Sequence, residues 1–338
     1  MKVIVFDVPA EHSGALTILE DYYNKALNNS TDTEWIFVVG KPIFENTKKI
    51  KVLRFPWVKK SWLHRLYFDY FTAPKLVKKY AADEVLSLQN ITIPRSKNVK
   101  QTVYLHQALP FVNYKFRLFE NRKMWIYQNV IGRIIKKSIK DADAVIVQTK
   151  WMKEACIKET KESPKKFRVE PPILDIKVEE TFTLTEKSKK NFFYPAGASY
   201  YKNHRIIIEA CSKLKQLGVL DYSVIFTLKG DENKHITDLY NIVSKENLPV
   251  KFLGKITKKE VFEYYSKSIL IFPSYIESSP LPLSEGIAHN SEIIASNCSF
   301  SLELLENYEK SSFFDWENSN DLVRHMKKYI NKNLSYNI

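Results

Sequence analysis

Glycine is scarce in this 338-residue sequence: it contains 8, where a globular chain usually carries about 7%. The two nearest, Gly218 and Gly230, are 12 residues apart, so neither G-x-G-x-x-G nor G-x4-G-K-[ST] can be written anywhere. That excludes dinucleotide fingerprints and Walker-type phosphate loops. Cysteine is equally sparse. Cys156, Cys211 and Cys298 are odd in number and far apart, which rules out a disulfide framework and a C-x-x-C metal or redox pair. The seven histidines form no H-E-x-x-H. The opening residues Met1–Asp7 offer only four apolar residues before an acid, too few for a signal-peptide core. No apolar run approaches the ~18 residues that span a bilayer. These absences point to a soluble, reduced, cytoplasmic protein.

What remains is ordinary globular material, 44% apolar and 27% charged, in a length that suggests two domains. Charge is distributed unevenly. The net charge is +14, and residues 51–150 alone carry 20 Lys/Arg against 6 Asp/Glu, so the rest of the chain balances to zero. One face of one domain is therefore expected to meet something anionic: nucleic acid, an acidic membrane or a phosphorylated substrate.

Short apolar runs alternate with helical patterns. Val3–Phe6, Trp35–Val39, Thr102–Leu105 and Ala144–Val147 read as buried strands, as do Phe192–Tyr194, Ser223–Thr227, Val250–Leu253, Ile269–Phe272 and Glu292–Ala295. Between them, Ile206–Leu217 and Lys258–Ser268 show helical spacing. Such alternation predicts parallel sheets covered by helices. Pro171-Pro172 closes the first set. The expected organisation is a first Rossmann-like domain over 1–172, a second over 173–319, and a C-terminal helix over 320–338 that can cross back to the first. Ligands are expected at the strand C-termini.

The segment richest in chemistry runs from Phe272-Pro273-Ser274 through Glu277 and Ser279-Pro280-Leu281-Pro282 to Glu285-Gly286. A strand ends, a proline-rich loop follows, and Pro282 is suited to the first helical position. Glu277 and Glu285 would then face the strand ends, where carboxylates accept hydrogen bonds from paired hydroxyls of sugars and riboses. A second stretch, Phe193–His204, is another strand–loop–helix unit and carries Gly197, Ser199 and Lys202.

Together these segments resemble the family-4 retaining glycosyltransferases, whose common form is F-P-S-x-x-E-x-F-G-L-P-x-x-E. Phe252-Leu253-Gly254, the run Ala142–Val147 and Leu105-His106 agree with the same family. The resemblance implies the α/β GT-B fold, two doubly wound Rossmann-like domains facing each other across a cleft. It implies transfer of a sugar, with retention, from a nucleoside diphosphate donor to a glycan or polyprenyl-linked acceptor, in bacterial surface polysaccharide assembly. Lys202 matches the lysine on the donor pyrophosphate, Glu285 the acid on the ribose, and Glu277 the acid beside the transferred sugar. His106 and Gly14 match first-domain positions lining the donor and acceptor cleft, and Ser199 and Leu281 fall on the donor loops.

A lysine and helix N-terminal amides can stabilise a departing diphosphate without metal, so no metal or other cofactor is expected. Asp141-Ala142-Asp143 spells a D-x-D but precedes a buried strand. Two positions depart from the family. Ala198 and Ser199 stand where it has an arginine. Ser279-Pro280 replaces Phe-Gly, and proline has no N–H to offer. A nucleotide-sugar hydrolase or epimerase on the same fold, or a binding scaffold without turnover, is the alternative reading.

The basic block holds seven aromatics between Arg54 and Phe71. Trp62, Leu63, Leu66, Tyr67, Tyr70 and Phe71 share one helical face. It reads either as a helix packed on the sheet, or as one lying on an anionic membrane surface with Lys59, Lys60 and Arg65 supplying charge. No nucleic-acid motif accompanies it, and no nucleic-acid partner is expected. The second option puts the protein peripherally on the inner face of the cell membrane.

Overall fold

The computed structural model describes residues 1–332 except His12, Lys97, Glu120 and Asp175. Two compact units divide the chain, Met1–Leu174 and Asp175–Ile338.

The first unit is built on seven parallel strands: β1 (Lys2–Asp7), β2 (Glu34–Val39), β3 (Ile50–Arg54), β4 (Glu84–Ser87), β5 (Lys100–Leu105), β6 (Ala144–Val147) and β7 (Phe167–Val169). Their order is β3-β2-β1-β4-β5-β6-β7. Helices cover both faces, so Val3–Phe6 of β1 and Trp35–Val39 of β2 are continuously apolar rather than alternating. The two faces separate residue by residue along β1. Val3 and Val5 pack with Ile18, Leu19, Tyr22 and Tyr23 of the helix Ser13–Leu27. Ile4 and Phe6 pack with Phe68, Ala73 and Val77 on the other side. This is the two-residue period of a strand buried on both faces.

The second unit has six parallel strands: β8 (Asn191–Tyr194), β9 (Ser223–Phe226), β10 (Val250–Phe252), β11 (Ile269–Phe272), β12 (Ile293–Ser296) and β13 (Ser311–Phe314). They run in the order β10-β9-β8-β11-β12-β13. All nine expected strands are present. β3, β7 and β13, which were not expected, are edge strands, and β4 is a central strand of four residues. The helix Ser319–Ile330 packs on the helix His204–Gln216. Its apolar face, with Leu322, Val323 and Met326 buried, is turned to the second unit's own core. Residues 333–338 of that expected helix lie outside the described residues. Among those described, no helix is long and apolar enough to cross a membrane.

Each sheet reverses its order once, between β1 and β4 and between β8 and β11. Loops leaving neighbouring strands at such a point diverge and leave a crevice at the strand C-termini. Asp7 ends β1 at the first of these points. It is 1% exposed, and no side chain hydrogen-bonds its carboxylate; the Ala10 main-chain N–H is the polar group turned towards it. Burial lifts its pKa well above the usual carboxylate value, and the charges of Arg65 and Lys59 offset this only in part. A raised folded pKa means the native state holds the proton that the unfolded chain releases. The stabilising contribution is therefore full below the unfolded value and is lost as pH rises through the folded one. Asp7→Asn, neutral at every pH, is expected to raise the neutral-pH melting temperature and flatten its decline towards alkaline pH. A lower melting temperature in that variant at neutral pH would show that the charged form is the native one.

Candidate active site

Two strand–loop–helix junctions meet where β8 and β11 lie side by side, with Ile269 opposite Phe192 and Leu270 opposite Phe193. From β8 the chain passes Gly197 and Ser199, makes a short turn over Tyr200–Lys202, and enters the helix His204–Gln216. From β11 it passes Ser274 and Glu277 and enters the helix Leu281–Ala288. Leu281, not Pro282, is the first helical residue, with Pro280 as the cap. Proline at the second position is equally tolerated, because none of the first four N–H groups has an intrahelical partner.

The loops bring Lys202 and Glu277 together: Lys202 Nζ lies 2.5 Å from Glu277 Oε1. Ser274 donates its one hydroxyl proton to the same oxygen at 2.6 Å, with the Tyr201 carbonyl 3.2 Å from the hydroxyl oxygen. The Tyr275 N–H donates to that carbonyl, so the two loops are laced by main chain as well as side chain. Burial by itself would pull the Lys202 pKa down, but the Glu277 carboxylate overrides it and holds the ammonium above its ordinary value. Lys202 is thus a fixed positive charge.

The residues behind Lys202 explain its position. Tyr194, fully buried, donates its hydroxyl to the Lys202 carbonyl at 2.8 Å. Asn203 adopts a left-handed conformation, φ 57°, which asparagine tolerates better than most residues. Its amide donates to the Trp316 carbonyl at 2.9 Å, and Trp316 stacks on Tyr275 at 4.4 Å between ring centroids. His204 turns inward between Tyr194 and Phe226. Burial lowers its pKa to about 3, with the Lys202 charge adding to the effect. In Lys202-Asn203-His204, then, the first side chain pairs with Glu277, the second ties the loops and the third fills the core.

Glu285 lies one turn into its helix and accepts a hydrogen bond from Tyr265 at 3.0 Å. Burial raises its pKa, and the Tyr265 bond and the Lys258 charge counter this in part. Ser199 is half-buried and its carbonyl accepts the Lys202 N–H. The Ala198 carbonyl accepts from Asn233 at 2.9 Å, so the loop that departs from the expected arginine is held by the segment before the helix Lys234–Lys245. A Cβ on Gly197 would meet nothing within 4 Å, which leaves open space in front of this loop.

In the first unit His106 follows β5 at the strand C-termini. Asn90 Oδ1 accepts from the main-chain N–H groups of His106 and Gln107, so its amide nitrogen is the group facing His106 Nε2 at 3.2 Å. The amide can only donate, which makes Nε2 the acceptor and assigns the ring proton to Nδ1. Nδ1 is buried without a partner. Burial lowers the ring's pKa to about 4, so His106 is a neutral hydrogen-bond donor near pH 7. Gly14 sits in the first turn of the helix Ser13–Leu27, with nothing within 4 Å of an added Cβ.

One sequence expectation changes. Arg65 does not serve the surface: its guanidinium turns inward and pairs with buried Asp69 at 2.6 Å. Asp143 accepts the Gln101 N–H at 2.7 Å while its own N–H donates to the Gln101 carbonyl, which fixes the approach of β6 to β5. Among the described residues no group of three or more His, Cys, Asp or Glu could hold a metal ion.

Comparison with known proteins agrees with this geometry. Residues 176–337 match the family described as Glycosyl transferases group 1. The O-antigen chain mannosyltransferase RfbU of Salmonella typhimurium is 26% identical over 269 residues, which cover 78% of this chain and 69% of that one. Sucrose-phosphate synthase of Thermosynechococcus elongatus is 15% identical with a TM-score of 0.72, covering 98% of this chain and 90% of its own. Anabaena HepE, solved in complex with UDP and glucose, is 14% identical with a TM-score of 0.65 and the same coverage. The structural likeness gives the fold, GT-B, and the sequence matches support a glycosyltransferase.

Proposed function

We propose that the protein transfers a sugar, with retention at the anomeric carbon and without a metal, from a nucleoside diphosphate donor to a glycan or polyprenyl-linked acceptor. The setting proposed is surface polysaccharide or lipopolysaccharide synthesis at the inner face of the cell membrane. The observation that carries this reading is the Lys202–Glu277 pair held between two strand–loop–helix junctions at the β8/β11 reversal. The O-antigen relative supports the setting.

The bond from the anomeric carbon to the β-phosphate oxygen breaks, the acceptor oxygen bonds to that carbon, and the acceptor's proton leaves with the diphosphate. Lys202 meets the negative charge that develops on the departing phosphate. The N–H groups opening the helix Leu281–Ala288, Leu281 first, contribute their dipoles to the same charge. Glu285 takes the ribose hydroxyls, and Glu277 passes from Lys202 to hydroxyls of the sugar. Ser199 on its loop and Gly14 in the first turn of its helix line the donor and acceptor positions. His106, neutral and with Nε2 taken by the Asn90 amide, lines the donor and acceptor positions from the first unit rather than accepting a proton.

The test is incubation with a panel of nucleotide sugars and glycan acceptors, reading diphosphate release and, by NMR, the anomeric configuration of the product. Release that requires an acceptor, survives EDTA and gives a retained product is the expected result. Equal release without an acceptor would make the protein a hydrolase. Donor binding without release would make it a scaffold, and loss of activity in EDTA would overturn the metal-free assignment.

A further inference from the structure

The helical segment from Trp62 to Lys79 meets the core of the first unit through Phe68, Ala73 and Val77, each at most 3% exposed. Phe68 alone contacts the rings of Phe6, Phe55 and Trp57. That face satisfies the packing needs of the helix. Its other face carries Trp62, Leu63, Leu66, Tyr67, Tyr70 and Phe71, all exposed, with Leu63 at 77%. Neither the packed nor the surface-lying reading of the sequence covered both halves of this arrangement.

A second segment, distant in sequence, adds to the same surface. The stretch Arg122–Asp141 is helical throughout. Tyr127 in it meets Trp62 edge to face, 6.1 Å between ring centroids. Val130 and Ile134 are exposed on this segment, and Phe119 just before it is 100% exposed. Both segments contain one wide helical turn, Phe68–Thr72 and Tyr127–Ile131. Such turns insert an extra residue, redirect the side chains that follow, and recur at functional sites. The Trp62–Tyr127 contact joins the exposed apolar side chains of the two segments, and exposed apolar groups gathered in this way mark an interaction site.

We propose that these two segments form a dock for an anionic lipid bilayer. The proposal rests on the reading of the acceptor as lipid-linked and gives that reading a surface. Charge selects the occupant. The whole excess of +14 lies within residues 51–150, and Lys60, Arg122 and Lys123 flank the exposed apolar residues in sequence. A second copy of the chain would bring the same positive charge against itself, whereas anionic headgroups complement it. Trp and Tyr beside Lys and Arg, with aliphatic side chains between them, is the composition that settles at a headgroup boundary. Basic groups hold the surface to the lipid, and Leu63 and Phe119 enter the acyl boundary.

The full chain, incubated with vesicles of neutral phospholipid alone or with about a quarter anionic phospholipid, tests this by co-sedimentation and tryptophan emission. Expected is binding to the anionic vesicles that weakens as salt rises, with a blue shift in emission and little binding to neutral ones. Leu63→Ser/Phe119→Ser, and separately Lys60→Glu/Arg122→Glu/Lys123→Glu, should each lower the partition at least tenfold. Nucleoside diphosphate binding, read by thermal shift, should remain in both variants and shows that they are folded. Equal binding to neutral vesicles, no binding at all, or unchanged partition in both variants would overturn the dock. Concentration-dependent dimerisation lost in Leu63→Ser/Phe119→Ser would assign the surface to a second copy instead. An oligonucleotide binding in place of anionic vesicles would assign it to nucleic acid. Transfer to a water-soluble acceptor without vesicle binding would overturn the dock and leave the proposed transfer standing. Vesicle binding without transfer to any acceptor would do the reverse.

Discussion

Lys202→Ala is expected to lower turnover by roughly 30- to 1000-fold, about 2–4 kcal/mol of barrier, by analogy with the deletion of a donor at a developing oxyanion. The same substitution strips Glu277 of its cation, because the two share a contact of 2.5 Å with little solvent around it. A structural loss therefore has to be separated from a catalytic one. Adding Glu277→Gln to Lys202→Ala removes the uncompensated charge, so the melting temperature should recover while turnover does not. Near-normal turnover in a folded Lys202→Ala chain, or turnover returning in the double variant, would remove Lys202 from the chemistry. The Lys202 charge is insensitive to pH in the working range. The raised lysine pKa keeps its contribution intact below the unfolded value of ~10.4, and the contribution is lost only as pH climbs through the folded value above that.

The strands that were legible are those whose burial on both faces leaves no polar position, such as Val3–Phe6 and Ile269–Phe272. β3 and β13 are half-exposed edges with the residues Ile-Lys-Val-Leu-Arg and Ser-Ser-Phe-Phe, and β4 has only Val85 and Leu86 between Glu84 and Ser87. Their strand character comes from neighbours, which no local pattern carries. The placement of Lys202, Glu277 and Glu285 after strands β8 and β11 was legible because each lies on a strand–loop–helix unit. What sequence could not give was partnership across distance. Lys202 and Glu277 are 75 residues apart and Asn203 and Trp316 are 113 apart. The Asn90 cradle that sets the His106 tautomer belongs to a neighbouring strand end. Arg65 is a different case: Asp69 stands four residues on, the spacing at which helical charges pair. That signal was present and pointed inward.

Glu285 carries the last expected result, in which binding and stability separate. If its carboxylate holds the ribose hydroxyls, Glu285→Ala should weaken nucleoside diphosphate binding roughly 10- to 150-fold, since hydrogen bonds to a charged group are worth about 1.5–3 kcal/mol. It should also lower the melting temperature, because the hydroxyl of Tyr265, which is fully buried, loses its acceptor, a cost of ~1–3 kcal/mol. Glu285→Ala/Tyr265→Phe should regain melting temperature without regaining affinity. Glu285→Gln keeps an acceptor for Tyr265 and should stay near wild type in melting temperature while binding more weakly. The pH dependence follows from the raised carboxyl pKa, which burial causes. Protonation sets in at a higher pH than in a free glutamate, ~4.3, and a neutral carboxyl accepts ribose hydroxyls poorly. Affinity should therefore fall as pH is lowered, beginning above the range in which a free glutamate titrates, while Glu285→Gln stays flat. Stability runs the other way. A raised acid contributes fully below its unfolded value and loses that contribution as pH rises through its folded one. Calorimetric titration at a series of pH values, beside thermal denaturation of the free chain, reads both trends. An affinity independent of pH in the wild type, or equal to that of Glu285→Gln throughout, would move the ribose away from Glu285.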